Sequence, residues 1–413
     1  MARLTNLAKF NYRCGSYFEE IAMTRRDLFA IAGGAPLASG FANRGLAMAA
    51  EAQKQIKITG METDLLRLPP SQYTGDAIHD FGSDGGGVVL RLKTNAGITG
   101  WGYSSFGMIG GAPRVVQTIL EHEIKPVLMG QDPSFPKKIR ADLWRALEYQ
   151  GVQGITQFAM SVVDIAVWDI LGKAAGMPVY KMLGAIRDRM PAYAMCGWYR
   201  QNDKDHSQYK RTIDETLEIG YRAFKIKVGR LSLEDDVERI EVGRKTAGKD
   251  IRIMVDANQA YNRVEALRRG RAYQELGCFW YEEPLVPYDH DGYAELASKL
   301  DIRIATGENE YNKHAFMDLL LKKGADVVQP DNRRAGGPTE WMEIGAISDG
   351  FGVELASHGG GPVNMNILCA IPNAIYMESS GKQKMVKGEV MAPEAPGMSS
   401  EVAADFIAKH KVT

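Results

Sequence analysis

Cysteine is scarce and scattered. Cys14, Cys196, Cys278 and Cys369 are the four in 413 residues, and none lies in a Cys-x-x-Cys pair. That excludes a disulfide framework and a thiolate metal site. The chain also lacks an excess of either charge. Fifty basic against 51 acidic residues leave a net charge of -1, with no electrostatic footprint for nucleic acid. A bilayer-length apolar run is missing near the start too. Leu28 to Asn43 is sixteen uncharged residues, diluted by Gly33, Gly34, Pro36 and Gly40. It falls short of a membrane span, so no stable membrane insertion is expected. What is present, 45% hydrophobic residues over this length, suits two domains or one large barrel with an appendage.

Residues 1–49 read as a leader rather than as fold. Met23-Thr24-Arg25-Arg26-Asp27-Leu28-Phe29 sets a twin arginine ahead of the diluted apolar stretch, and Ala47-Met48-Ala49 offers a small-x-small cleavage site. The pattern resembles a twin-arginine export signal, with Met23 a candidate start. Arg44, close to the cleavage site, suits that route better than the general secretory one. A periplasmic address is therefore expected. Substrates of this route cross the membrane folded, so unpaired cysteines do not oppose it.

From Gln55 to about Gly102 the pattern is β. Gly87-Val88-Val89-Leu90-Arg91-Leu92 runs to a turn at Asn95-Ala96-Gly97. Between the first strands Tyr73–Phe81 is polar and glycine-flanked, and reads as a mobile loop. From Val115 to Lys181 the pattern is helical, with Val162, Ala166, Ile170 and Leu171 recurring on one face until Gly176-Met177-Pro178 stops it. Strands first and helices after make an α+β unit.

From Pro191 short apolar runs alternate with amphipathic segments, the rhythm of βαβ units. Strands are predicted at Ala192–Cys196, Phe224–Val228, Ile253–Asp256, Phe279–Glu282, Arg303–Gly307, Val327–Asp331, Val353–Ala356 and Ile375–Glu378. Helices between them are signalled by the capping box Ser232-Leu233-Glu234-Asp235, and by Phe316, Leu319 and Leu320 on one face closed by Gly324. Eight such strands predict a (β/α) barrel, and no helical pattern follows the eighth.

In Phe224-Lys225-Ile226-Lys227-Val228 the alternation puts both lysines on one face. A lone Lys-x-Lys is usually the solvated side of an edge strand. Paired in a site, each ammonium disfavours the other's charge, which lowers a lysine towards the range of a base. The other strand ends decide between these. Asp256, Glu282 and Glu308 end the third, fourth and fifth strands, each 26 residues from the next. Asp331 ends the sixth, His358 follows the seventh, and Glu378 ends the eighth. In a barrel these ends ring one mouth, where active sites form. Three carboxylates cannot share a small site without a counter-cation, and hard oxygen ligands suit Mg²⁺.

Lys225-Ile226-Lys227, Asp256-Ala257-Asn258, Glu282-Glu283-Pro284, Gly307-Glu308-Asn309, Gln329-Pro330-Asp331 and Ser357-His358 in this order resemble the enolase superfamily, in its mandelate racemase-like subgroup. Ala166-Val167-Trp168-Asp169-Ile170 and Arg334-Ala335-Gly336-Gly337 extend the resemblance. It implies a (β/α)7β barrel, a modified TIM barrel, over residues 186–380. An α+β capping domain would be built from 50–185 together with a returning segment, 381–413. It implies Mg²⁺ on Asp256, Glu282 and Glu308, with Lys227 and His358 as acid/base catalysts on opposite faces of a small-molecule carboxylate. Asp331 would orient His358, Lys225 would neutralise a substrate carboxylate oxygen, Glu378 would stabilise the enolate, and Asn258 would touch substrate. A homo-oligomer, from dimer to octamer, is the usual form of such proteins.

The enediolate such a site forms has several fates. Dehydration of a sugar acid to a 2-keto-3-deoxy acid is the leading expectation. Racemisation or epimerisation of a 2-hydroxy acid and cycloisomerisation are the alternatives. An exported, non-catalytic sugar-acid binding protein would be expected to have lost a ligand or a base. Substrate choice is expected to lie in Tyr73–Phe81, Gly107–Gly111 and Trp198-Tyr199-Arg200, with His79 and Arg200 as contacts. Gly359-Gly360-Gly361 leaves room beside His358 for a long, hydroxylated substrate.

Overall fold

The computed structural model describes residues 55–82, 85–106, 111–379 and 385–412. The predicted leader with Cys14, most of Gly107–Gly111, and residues 380–384 lie outside the described residues.

Strand β1 (Ile58–Leu68) is followed by a small hairpin, β2 (Thr74–Gly75) with β3 (Asp80–Phe81), and then by β4 (Gly85–Thr94) and β5 (Thr99–Phe106). β1, β4 and β5 form an antiparallel sheet with β4 in the middle. Helix Ile155–Ala175 crosses this sheet. Val162, Ala166 and Ile170 are buried as their spacing predicts, and so are the adjoining Val163 and Val167. The helix is long and apolar enough to cross a membrane, but 83% of its apolar window is buried inside the protein. All-round apolarity here marks a core helix. Two glycines let the sheet approach it. A Cβ at Gly100 or Gly102 of β5 would stand 2.2 Å from the carbonyl oxygen of Ala166 or Val162.

Eight parallel strands follow: β6 (Arg189–Gly197), β7 (Ala223–Lys227), β8 (Arg252–Asp256), β9 (Trp280–Glu282), β10 (Arg303–Thr306), β11 (Val327–Val328), β12 (Glu354–Ala356) and β13 (Ala374–Ser379). Each pairs with the next, and β13 returns to β6 through Met377 beside Ala192 and Glu378 beside Tyr193, closing the predicted barrel. Tyr193, Met254, Trp280, Ala305, Val327 and Ala356 fill its interior. β11 stops at Val328 instead of reaching Asp331, because Pro330 has no N–H to continue the ladder. Ser232 caps helix Leu233–Ala247, its hydroxyl accepting from the Asp235 N–H at 3.1 Å. After helix Asn312–Leu321 the left-handed residue is Lys323, at φ +60°, and not the expected Gly324. Gly324 serves a close approach instead, since a Cβ there would lie 2.8 Å from Leu319.

Among the described residues strands come next after β13, and the one later helix is Ala404–His410. A hairpin of β14 (Met385–Val386) and β15 (Glu389–Met391) pairs antiparallel with the start of β6. The last residues then reach the cap sheet. The Val412 N–H donates to the Leu65 carbonyl at 2.8 Å, and Lys411 meets Asp64 at 2.5 Å.

Candidate active site

Register brings the acidic and basic strand ends together. Lys227 of β7 stands beside Asp256 of β8, and Asp256 beside Glu282 of β9. Partners across a parallel ladder project to the same face, here into the barrel mouth. Glu308 follows β10 after a turn at Gly307, where φ is +128°. One oxygen from each of Asp256, Glu282 and Glu308 lies within 4.8 Å of the others, and all three residues are buried. Among the described residues Glu308 Oε2, a buried oxygen, has no hydrogen-bond partner. Three carboxylates with one orphaned acceptor are the donor set a hard divalent cation takes.

The other oxygens are held by neighbours. Trp280 Nε1 and Gln329 Nε2 donate to Glu282 Oε2 at 3.0 and 2.9 Å. The Asn258 N–H donates to Asp256 Oδ1 at 3.0 Å. Burial, and then repulsion from Asp256, pushes the Glu282 carboxyl up to about 8. Burial works upward on Asp256 as well, but Lys227 and Lys225 more than cancel it and hold that carboxyl low. Glu378 falls to about 2, because Lys225, His358 and Lys227 outweigh its burial. Tyr193 donates to it at 3.0 Å.

Both lysines are buried, and their environment differs from the one expected of two adjacent ammoniums. Lys225 contacts Glu282 closely and lies 3.1 Å from Asp256 and 3.4 Å from Glu378. Lys227 lies 2.6 Å from Asp256, with its Nζ 4.9 Å from the Trp198 ring centre. Burial works downward on each. The carboxylates from neighbouring strands overcome it, so both lysines sit above their ordinary value rather than below it.

Across the mouth His358 Nδ1 meets Asp331 Oδ2 at 2.6 Å, and Nε2 lies 3.5 Å from Glu308 Oε2. The backbone of Asp331 also bridges to that of His358. Asp331 is shared with a residue that the sequence reading missed. Arg333 Nη2 donates to its Oδ2 at 2.5 Å, and the Arg333 N–H to its Oδ1 at 2.6 Å. Against the upward pull of burial, Arg333 and then His358 hold the Asp331 carboxyl well below the usual range. The signal was the position of an arginine two residues beyond the acid.

Lys227, Asn258, Glu308, His358 and the loop residues His79 and Asp76 face one cavity of about 470 Å³. Asn258 holds φ +40°, and its buried Oδ1 has no partner among the described residues. The loop over the cavity is pinned. Gly75 and Tyr199 exchange two backbone hydrogen bonds of 2.9 Å, and Arg230 Nη1 binds Tyr73 and Asp80 at 2.7 Å. Phe81 packs edge-on against Trp198 at 5.4 Å, while His79 Nδ1 lies 3.1 Å from Asp76. Beside His358 a second cavity, of about 510 Å³, runs along Gly359–Gly361 and shares Ser105, Arg333 and His358 with the first. Arg200 is not brought to the site. It faces a different cavity, because the chain turns away after Tyr199 bridges to Gly75.

The chain resembles known proteins in sequence and in structure. Residues 208–406 match the enolase C-terminal domain-like model, and residues 81–184 the mandelate racemase / muconate lactonizing enzyme N-terminal domain. Arabinonate dehydratase of Saccharolobus solfataricus is 30% identical over 341 residues, covering 78% of this chain and 90% of its own length. The 3,6-anhydro-α-L-galactonate cycloisomerase of Streptomyces coelicolor is 31% identical over 358 residues, covering 84% and 97%. A magnesium-bound racemase from Streptomyces coelicolor superposes with a TM-score of 0.81 at 30% identity, covering 86% of this chain and 100% of its own. The chain therefore belongs to the mandelate racemase/muconate lactonizing enzyme family of the enolase superfamily, as a Mg²⁺-dependent lyase or racemase.

Proposed function

We propose that the protein dehydrates a sugar acid to a 2-keto-3-deoxy acid. The observation that carries this is that Lys227 and the Asp331-held His358 face the same cavity as Glu308, whose Oε2 makes no hydrogen bond among the described residues and is open to a cation. Bound by Asp256, Glu282 and Glu308, Mg²⁺ supplies a Lewis acid for the charge that develops on the substrate carboxylate.

The protein's own groups account for the rest. Lys227 takes the proton from the carbon next to the carboxylate as the free amine, since a cation on Asp256 would offset the pull that holds its ammonium charged. Lys225, on the same face of β7, balances a carboxylate oxygen, and Glu378 borders the far side. The electron pair left on the α-carbon forms the enediolate, and its collapse breaks the bond from the β-carbon to its hydroxyl. His358, as imidazolium, gives that hydroxyl a proton so that water leaves, and the enol relaxes to the ketoacid. Asp331 keeps the His358 Nδ1–H pointed away from substrate, which leaves Nε2 for the reaction. Asn258 Oδ1 and His79, which line the cavity, are read as contacts for substrate hydroxyls. The glycine-lined cavity beside His358 gives length for a polyol tail.

A cycloisomerase is the second reading, favoured by the relative that covers 84% of the chain. There a ring oxygen leaves instead of a hydroxyl. Return of the proton to the opposite face of the α-carbon would instead make the protein a racemase or epimerase. Mono- and di-acid sugars incubated with Mg²⁺ in D₂O and followed by NMR separate the three. Ketoacid formed with loss of water from an open-chain acid supports dehydration, a ring-opened ketoacid isomeric with a cyclic anhydro or lactone substrate supports cycloisomerisation, and deuterated epimer without ketoacid replaces both.

We also propose export to the periplasm, on the strength of Arg25-Arg26 and Ala47-Met48-Ala49. N-terminal sequencing of the protein from a periplasmic fraction is expected to start near Ala50. An intact Met1 or Met23 terminus in the cytoplasm overturns it.

A further inference from the structure

A cavity of about 430 Å³ shares Trp198 with the active-site cavity but none of the catalytic or metal-binding side chains. Five of its wall residues are basic: Arg200, Lys204, His206, Arg230 and Arg239. Three are acidic, and each is accounted for. Asp203 accepts from the N–H groups of Gln208 and Tyr209, at 2.8 and 3.0 Å, at the start of helix Ser207–Ile219. Asp235 accepts from the Ser232 hydroxyl at 2.8 Å. Glu238 has a side chain 65% exposed, and its cationic neighbour is His206 at 3.9 Å.

Two of the arginines are also accounted for. Arg230 pairs with Asp80 at 2.7 Å. Arg239 donates to the carbonyl oxygens of Lys227 and Gly197, at 2.6 and 3.0 Å, and stacks on Tyr199. Arg200 is different. It is half-buried, its Nε is sealed from solvent, and among the described residues it makes no hydrogen bond or ion pair. A guanidinium carries five donors, and removing one from water without a partner is costly. Every other charged group in the wall has a partner or stands largely in solvent.

We infer that this cavity is a second ligand site, which takes a compact oxyanion: the carboxylate or phosphate group of a small metabolite. Arg200 supplies the fork and Lys204 a second cation. The site stands independently of which reaction the barrel catalyses. It adjoins Tyr199, whose backbone carries the bridge to the active-site loop.

The test is calorimetric titration of the Mg²⁺-loaded full chain with inorganic phosphate and, separately, with malonate. Saturable binding is expected for at least one. Arg200→Met should weaken it about tenfold, the scale of one lost charge-assisted hydrogen bond, and Arg200→Lys should keep part of it. Phosphate binding alone identifies a phosphorylated ligand, and malonate binding alone a carboxylate. Absence of saturable binding to both, or affinity unchanged by Arg200→Met, overturns the site. In anion-free buffer Arg200→Met is expected to unfold at or above the wild-type temperature. A clearly lower Tm would give Arg200 a structural role and also overturn it.

Discussion

Arg333 Nη1 donates to the carbonyl oxygen of Ser105 at 2.9 Å, and Nη2 of the same guanidinium donates to Asp331. Ser105 lies in β5 of the cap sheet, whereas Asp331 is a barrel residue that orients His358. The seat of the cap and the angle of the imidazole thus meet at one side chain. Arg333→Met is expected to lower kcat by about ten- to a hundredfold, as loss of a carboxylate-orienting partner does, with a smaller change in KM. Arg333→Lys should recover only part, because an ammonium cannot fork between the two. Steady-state kinetics decide it. A rise in KM at unchanged kcat would make Arg333 a substrate contact instead.

Replacing Glu282 with Gln removes the charge from the carboxylate at the middle of the triad and keeps its size. Turnover should be abolished and Mg²⁺ affinity sharply reduced, while the circular dichroism spectrum stays that of the wild type. Chelation of the wild type should have the same effect and be reversed by added Mg²⁺. An active Glu282→Gln enzyme would take Glu282 out of the metal site.

The two proposed proton carriers can be separated by isotope. His358→Asn should abolish dehydration but still allow Lys227 to exchange the α-proton of a substrate whose hydrogen faces it. Lys227→Met should lose that exchange. NMR in D₂O on both variants, with any accepted acid sugar, reads the difference. Dehydration at the wild-type rate by the His358 variant would end the two-base scheme.

His290 offers a pH test away from the chemistry. Its ring joins Glu310 at 2.8 Å and Asp318 at 2.6 Å. The Glu310 hydrogen bond is the largest influence, and with Asp318 it outweighs burial and holds the imidazolium above its usual 6.5. A raised folded-state pKa stabilises fully below the unfolded value, and the gain is lost as pH rises through the folded one. His290→Gln should therefore be less stable than wild type at pH 5.5, by a gap that narrows as pH rises to 9. Urea midpoints at the two pH values measure this. A gap that widens with pH would reverse the sign of the argument.

Gly102 has no room to grow. Its Cβ would meet the Val162 carbonyl at 2.2 Å, and a helix backbone cannot step aside as a side chain can. Gly102→Ala should cost about 1–3 kcal/mol, the range for overpacking, seen as a lower Tm. An unchanged Tm would mean that β5 and the helix are not packed so closely.

What could be read in the sequence follows from distance along the chain. Asp256, Glu282 and Glu308 recur once per βα unit, and Lys225 and Lys227 obey strand parity. Both are local patterns, so the barrel and its acidic mouth were legible. The lysine environment was not. Two neighbouring ammoniums read as mutual repulsion, but Lys225 meets a carboxylate 57 residues away and Lys227 one 29 residues away. Only folding adds those charges. The link from Arg333 to Ser105 spans 228 residues and has no local trace. The expectation for Arg200 failed for a related reason. It follows Trp198 in the chain, but the bridge from Tyr199 to Gly75 turns it out of the mouth.

The hold of Lys411 and Val412 on β1 orders events during synthesis. Asp64 and Leu65 leave the ribosome before any barrel strand, yet the residues that meet them are made after all eight. The barrel can close while its cap sheet still has one edge unpaired. Docking of these residues is then the step that covers the edge of the cap sheet, and an elongating chain stalled before it would display β1 as an open strand edge.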